Sequence, residues 1–283
     1  MSNDDTELGY MRKNVPLISI TIPTYNSEAT INLCLGSIFH QYDAEINSNI
    51  EVIVVDNCSS DKTEEICKGY DCRFLRTRST KAEAREIGFL KSTGKYVLIL
   101  DSDMCIERGI IKELIGYAED CNFDAVIINE ELLGKSFFHI ARTIEKQCYI
   151  NVSEIQSPRF YKRQVIEKVD WKRIDDGWDE MEIFLEAQKS SPPLQIRTSN
   201  KKIWLIGNPL DIRKKLHHGK YFKMYKKKYD SQFVRRQFSF SYRAKLLTKS
   251  LKMSLPYGSA VLVLKFLDFL FFYIGRISSY LGK

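Results

Sequence analysis

The sequence contains no Cys-x-x-Cys pair, so neither a zinc ribbon nor a dithiol redox centre is indicated. Its cysteines number seven, an odd count that does not read as a paired disulfide framework. The opening residues, MSNDDTELGY, are polar and acidic, without the apolar stretch of a secretory leader. Both absences point to the cytosol, where thiols stay reduced. Cys58, Cys67 and Cys72 are the ones close enough in sequence to pair. No segment repeats, and no low-complexity linker divides the chain. Acidic residues are scarce in one region. Between residues 211 and 252 lie 14 Lys and Arg against 2 Asp, a net of +12 that leaves −5 for the rest of a chain totalling +7. A basic stretch on a mildly acidic body implies an anionic partner: phosphate, nucleic acid or membrane.

What is present is enough apolar material for a core. At 283 residues and 44% apolar, the chain suits one large α/β domain with an appendage, and disorder is excluded. Residues 16–26, PLISITIPTYN, read as an apolar strand that Pro23 should stop. Ser27 is then the expected N-cap of a helix with apolar residues at 31, 35, 38 and 39. IEVIVVDN (50–57) is a second buried strand, RFLRT a third, and STKAEAREIGFLKSTG a helix closed by Gly94. KYVLIL is a further strand, and it ends on Asp101 and Asp103. This alternation predicts a parallel sheet with crossover helices. The unbroken apolar runs fit strands covered on both faces. After Gly109 the pattern weakens. DAVIINEELL reads as a strand; SPRFYKRQVIEKVDW and DDGWDEMEIFLEAQKSS read as loop, strand and helix. Asp56 and Asp101 fall at strand C-termini, where open α/β sheets bind ligands.

Two carboxylates one residue apart repel each other, and one is pushed toward its neutral form unless positive charge sits there. A divalent cation between Asp101 and Asp103 answers that, and so does a solvated turn. Other acidic residues have equally plain readings. Asp56 can cap the next turn with Ser59 and Ser60, and Asp179 and Glu180 can be an acidic first helical turn favoured by the helix dipole. Arg85 can pair with Glu83 or Glu86.

Four segments in order, ISITIPTYNSEATINLCLGSIFHQ, IEVIVVDNCSSDKTEEI, KAEAREIGFLKSTGKYVLILDSDM and DDGWDEMEIFLEA, together resemble the family 2 glycosyltransferases over residues 17 to about 190. The resemblance implies an α/β GT-A fold, a mostly parallel Rossmann-like sheet with helices on both faces. It implies an inverting, metal-dependent transfer from a nucleotide-sugar donor. Pro23, Thr24 and Tyr25, with Glu28 nearby, would line the nucleoside, and Asp56 would hydrogen-bond the base. Asp101 and Asp103 match the family's DxD. Asp103 would hold Mn²⁺ or Mg²⁺, and Asp101 the ribose or the metal shell, with Lys81 and Arg85 behind them. Asp179 and Glu180 resemble the stretch that supplies the catalytic base, although the order DE replaces ED. His217 and His218 stand where membrane-associated members often place a further metal or diphosphate ligand, or form an exposed pair. The chemistry has its own reasons for these groups. Oxygen ligands hold a hard cation against a diphosphate leaving group, and the attacking hydroxyl needs a carboxylate to take its proton.

The resemblance divides the chain into a catalytic domain at 1–215, with a nucleotide-sugar half at about 15–110 and an acceptor half at about 111–215. A basic amphipathic interfacial segment at 216–253 and an apolar membrane-associated helix or hairpin at 254–283 follow. Lys and Arg among Tyr and Phe also suit nucleic acid, but beside an apolar segment they read as an anchor at the cytosolic face of a membrane. No nucleic-acid partner is expected. Residues 255–274 are long enough to span a bilayer, yet Lys265 and Asp268 each cost about 2.5 to 3.5 kcal/mol at a helix centre. Being three apart they share a face and can pair, and Pro256 and Gly258 interrupt the start. A hairpin or an in-plane helix is therefore expected rather than a span. FVRRQ lacks the tryptophan of the Q-x-x-R-W box found in polymerising relatives, so processive synthesis is not expected. The reading is hexose transfer, GDP-mannose first, to a lipid-linked acceptor of the polyprenyl or dolichyl phosphate type. UDP-glucose or UDP-N-acetylhexosamine is the alternative donor. A non-catalytic membrane-surface protein keeping the fold is the alternative class.

Overall fold

The computed structural model describes residues 15–41, 49–120, 122–189, 192–229 and 231–281. Eight strands form one sheet in the order β3-β2-β1-β4-β7-β6-β8-β5. They are β1 (Ile18–Thr24), β2 (Ile50–Asp56), β3 (Arg73–Arg76), β4 (Tyr96–Ile99), β5 (Met104–Ile106), β6 (Ala125–Leu132), β7 (Phe160–Lys162) and β8 (Ile196–Leu205). The helices are α1 (Ile31–Phe39), α2 (Thr63–Cys67), α3 (Lys81–Lys91), α4 (Ile110–Asp120), α5 (Phe137–Cys148), α6 (Arg163–Ile166), α7 (Asp179–Ala187), α8 (Ile212–Lys228), α9 (Gln232–Gln237), α10 (Phe240–Met253) and α11 (Leu255–Leu281). The polar N-terminal stretch 1–14, read above for a leader, lies outside the described residues. Every described cysteine is a free thiol.

The central strand β1 is buried at all seven positions and has a parallel neighbour on each side. That is why its sequence does not alternate. Pro23 does not stop it. Pro23 stands opposite Val55, beyond the point where β4 still pairs with β1, so its missing N–H breaks no ladder bond. Nor does Ser27 cap α1 with its side chain. Its carbonyl accepts from Thr30 and Ile31, while its hydroxyl lies 2.8 Å from that of Ser102. One face of the sheet packs on α1, α2 and α4. The other packs on α3, α6 and α7.

The sheet is mixed. β1, β2, β3 and β4 pair in parallel, as do β6 and β8, but β7 runs antiparallel between β4 and β6, and β5 antiparallel to β8. Only residues 100–103 separate β4 from β5, although three strands lie between them. Five chain steps reach about 18 Å at full extension, whereas four strand spacings in a flat sheet need about 19 Å. The linker is also not extended, because Met104 N–H turns back to the Asp101 carbonyl at 3.1 Å. The β6–β8–β5 end must therefore curl over the C-terminal edge of β4. Ile206 N–H closes the curl on the Asp103 carbonyl at 2.7 Å.

The C-terminal region is a helical layer rather than an appended hairpin. Helix α8 runs through the expected 215/216 boundary, and α11 is one continuous helix of 27 residues. Pro256 sits in its first turn, where an N–H has no helical partner anyway. Gly258 lies against the backbone of α10, where an added Cβ would come within 2.6 Å of the Ser250 carbonyl. At the α8–α11 crossing a Cβ on Gly219 would overlap the Phe272 carbonyl, and one on Gly275 the Leu216 carbonyl. Lys265 and Asp268 do pair, at 3.2 Å, but inside a larger buried network. Arg142 grips Asp268 through both terminal nitrogens at 2.8 and 2.7 Å, Lys265 and Arg142 reach Glu145 at 2.7 and 2.6 Å, and Lys215 lies 3.4 Å from Asp268. Val261 and Leu264 are fully buried beside it against α5 and α10. Among the described residues no helix is long and apolar enough to cross a membrane.

Candidate active site

Helix α3 opens with a capping box, Thr80 and Glu83 exchanging side-chain and backbone bonds. Lys81 and Arg85, one turn apart, then share a face that looks at the end of β4. Lys81 Nζ lies 3.1 Å from Asp101 Oδ1, and Arg85 Nη2 2.7 Å from the same oxygen. Arg85 is 1% exposed, and its guanidinium spans three carboxylates: Asp101, Asp179 through Nε at 2.5 Å, and Glu180 at 2.9 Å. The plainer pairing of Arg85 with Glu83 or Glu86 does not form. Arg159, just before β7, adds a second buried guanidinium. It donates to Glu180 at 2.7 Å and to Glu130 at 2.7 Å, and lies 3.8 Å from Asp101. Lys146 of α5 completes the row at 2.7 Å from Glu130.

These charges set the carboxylates apart. Burial opposes ionisation of Asp101, but Arg85, Lys81 and Arg159 together hold it well below the usual range. Asp179 is likewise lowered, burial being outweighed by Lys81 and Arg85. Glu180 goes the other way: burial, with Asp101 adding to it, lifts its pKa against Arg159 and Arg85. Asp103 is also raised, by burial and by Asp101. The two members of the acidic turn on α7 thus differ in kind. Asp179 is a buried ionised anchor for Arg85. Glu180 is more exposed, at 25% of its side chain against 9%, and more basic.

A cleft of about 460 Å³ opens at the C-terminal ends of β1 and β4. Pro23, Thr24 and Tyr25 line it, with Lys81, Asp101 and Asp103. Asn57, Ser102 and Lys214 line it too, and together with Arg159 these are the site residues that the sequence reading missed. Arg85, Asp179 and Glu180 sit behind Asp101 in the ion-pair cluster rather than in the cleft lining, and four more of the expected residues do not reach the cleft. Glu28 turns away to accept from Lys62 N–H at 3.0 Å. Asp56 is fully buried behind Asn57, its carboxylate taken by the backbone and hydroxyl of Ser59, as in its plainer capping reading. His217 and His218 do not gather with the aspartates. Successive helix positions point about 100° apart, and α8 turns both against the 176–178 turn. His217 Nε2 is 3.4 Å from the Asp176 carbonyl, and His218 packs 4.5 Å from the Trp178 ring. Burial and Lys214 push the His218 pKa well down.

No cluster of three or more His, Cys, Asp or Glu able to hold a metal occurs among the described residues. Asp101 is taken up by three cations, whereas no protein cation lies within ion-pair distance of the Asp103 carboxylate among the described residues. One free carboxylate in a cleft suits Mg²⁺ or Mn²⁺, which keep several waters and share their shell with substrate phosphates. The residues therefore fit a divalent cation held by Asp103 and a bound diphosphate, without the histidines. Nη1 of Arg85, Nη1 of Arg159 and the Thr24 hydroxyl are buried beside the cleft with no hydrogen-bond partner. Each is a polar group that a ligand can satisfy.

The model of a family described as glycosyl transferase family 2 matches residues 19–176. The chain is 29% identical over 202 residues to glycosyltransferase GlyA of Streptococcus pneumoniae, covering 61% of this chain and 28% of that one. It spans between 28% and 52% of the length of the first curated relatives it matches. Among solved structures it is similar to the mannosyltransferase PcManGT of Pyrobaculum calidifontis in complex with GDP-Man and Mn²⁺. The TM-score is 0.61 at 15% identity, over 93% of this chain and 87% of that one. It is also similar to TarS of Staphylococcus aureus, a poly(ribitol-phosphate) β-N-acetylglucosaminyltransferase, with a TM-score of 0.55 at 16% identity over 92% and 55%. At such identities the structural likeness is one of fold.

Proposed function

That the chain belongs to glycosyl transferase family 2, and is a glycosyltransferase, is the premise from which we propose its reaction. It transfers a hexose from a nucleotide sugar, GDP-mannose in our reading, to a lipid-linked acceptor at a membrane surface, in one inverting displacement. The observation that carries this is the split between Asp103, free and facing the cleft, and Glu180, raised in pKa across the Arg85 bridge. In our reading the diphosphate leaves beside the first and the acceptor arrives beside the second. Pro23, Tyr25 and Asn57 hold the nucleoside. Lys81 and Lys214 face the diphosphate from two sides. A divalent cation, Mn²⁺ or Mg²⁺, held by Asp103 would neutralise charge growing on the leaving group. Glu180 takes the proton from the attacking hydroxyl, and its raised pKa makes it the better base of the acidic pair. Arg85 and Arg159 fix its carboxylate in place.

GDP-mannose is supported by the fold likeness to a mannosyltransferase holding GDP-Man. A UDP-N-acetylhexosamine is favoured instead by the likeness to TarS, which has been solved with UDP-GlcNAc. The lipid-linked acceptor and membrane location rest on the composition of residues 212–281. Calorimetry with GDP and UDP, each with and without Mn²⁺, tests the donor reading. Mn²⁺-dependent GDP binding that Asp103→Ala abolishes is the expected result. Binding of neither nucleotide, or affinity unchanged in Asp103→Ala, would overturn it.

A further inference from the structure

Helix α11 is apolar on both sides: Val261 and Leu264 are buried against α5 and α10, and a second apolar face is exposed. Its charged pair, Lys265 and Asp268, points inward to the buried network with Arg142 and Glu145. Its apolar residues Leu262, Val263, Phe266, Phe269, Ile274 and Ile277 point outward, between 44% and 68% exposed. At 100° per residue these positions fall within an arc of about 140°, one face of the helix. A soluble helix has its charged face outward, and an apolar face this long marks an interaction surface.

Charge indicates the occupant. Asp268 is the one acidic residue in α8, α9, α10 and α11, and it faces inward. Two of the three helices packed against α11 carry exposed lysines, Lys220, Lys226 and Lys227 on α8 and Lys245, Lys249 and Lys252 on α10. A second copy meeting this face with its own would bring like charges together. An anionic bilayer attracts the lysines and receives the apolar residues. We infer that the outer face of α11, flanked by α8 and α10, is a peripheral docking surface for anionic lipid, with the helix lying in the plane of the interface.

This deepens the membrane reading above by naming the face and the mode of contact. Its test does not involve the donor, so it can fail independently of the catalytic reading. Full-length protein is floated with vesicles of phosphatidylcholine alone and with phosphatidylglycerol added, at low and high salt. Wild type should float with the anionic vesicles. Phe266→Glu with Phe269→Glu should lower partitioning roughly tenfold or more and leave salt-sensitive residual binding. Melting temperature and metal-dependent donor hydrolysis should be unchanged, since neither residue touches the cleft. If that variant fails to fold, Ile277→Gln at the other end of the face provides the same reading. Wild type that floats no better with anionic vesicles, or variants that float as wild type does, would overturn the inference. So would sedimentation showing a dimer that the substitutions dissociate while vesicles bind neither form.

Discussion

Glu180 and Asp179 are adjacent, yet their surroundings shift their pKa values in opposite directions. Glu180→Gln should cut transfer about 10²- to 10⁴-fold, the range of a lost general base, while nucleoside diphosphate affinity with Mn²⁺ stays near wild type. Asp179→Asn should instead loosen Arg85 and lower the melting temperature. Initial rates and thermal melts of the two variants separate these outcomes. Glu182, fully buried on the same helix, has its pKa lifted to about 7 by burial. A carboxyl raised above its unfolded value binds more protons folded than unfolded, so it favours the fold at low pH. Stability from this group should fall as pH rises from about 4.5 to about 7 and level off above. Glu182→Gln should flatten that slope in denaturant titrations. Asp101, Asp103, Arg85 and the acidic pair were legible because each sits in a local pattern. Arg159 and Lys214 were not. Nothing in SPRFYK or DIRKK signals a partner: Arg159 meets Asp101, Glu130 and Glu180 from other elements, and Lys214 meets the Asp103 cleft from far along the chain. Glu28, Asp56 and the two histidines carried a pattern, but burial and helix direction turned them elsewhere.

Among the elements, the strands of the first half were legible from their apolar runs. β5 and β8 were not: three residues carry no period, and IRTSNKKIWL is too polar to read as a covered strand. Of the hairpin or in-plane helix expected after Pro256, a single helix forms, docked on α5, α8 and α10. Composition shows which residues dislike lipid but not that Arg142 and Glu145 wait for them on another helix. Two substitutions probe that docking. Gly275→Ala puts a methyl group into the Leu216 backbone, and overpacking of this kind costs about 1–3 kcal/mol. It should lower the melting temperature and, by displacing α8 and its Lys214, weaken nucleoside diphosphate binding in calorimetry. Asp268→Asn leaves Arg142, Lys215 and Lys265 facing one another around a single carboxylate. Breaking a buried pair from one side costs about 3–5 kcal/mol, which urea denaturation would register.

For the whole molecule, the change of composition expected at residue 216 falls inside α8, and the helical layer it belongs to begins at Ile212. The layer is a brace as much as an appendage, since α11 packs on α5, α8 and α10. Removing residues 254–283 should therefore expose the apolar faces of α5 and α10, lower the melting temperature and reduce nucleotide affinity, with far-UV circular dichroism still showing the sheet. A truncated chain that melts and binds as the full chain does would contradict this. The closure of Asp103 on Ile206 bears on the order in which the protein is made. Chains grow from the N-terminus, and the DxD turn emerges about a hundred residues before the strand end that holds it. β5 has β8 as its partner in the sheet, so it cannot pair until residue 205 has left the ribosome. The first four strands can thus collapse early while the Asp101–Asp103 turn stays unset. A nascent chain completes the candidate site only once β8 has also been synthesised.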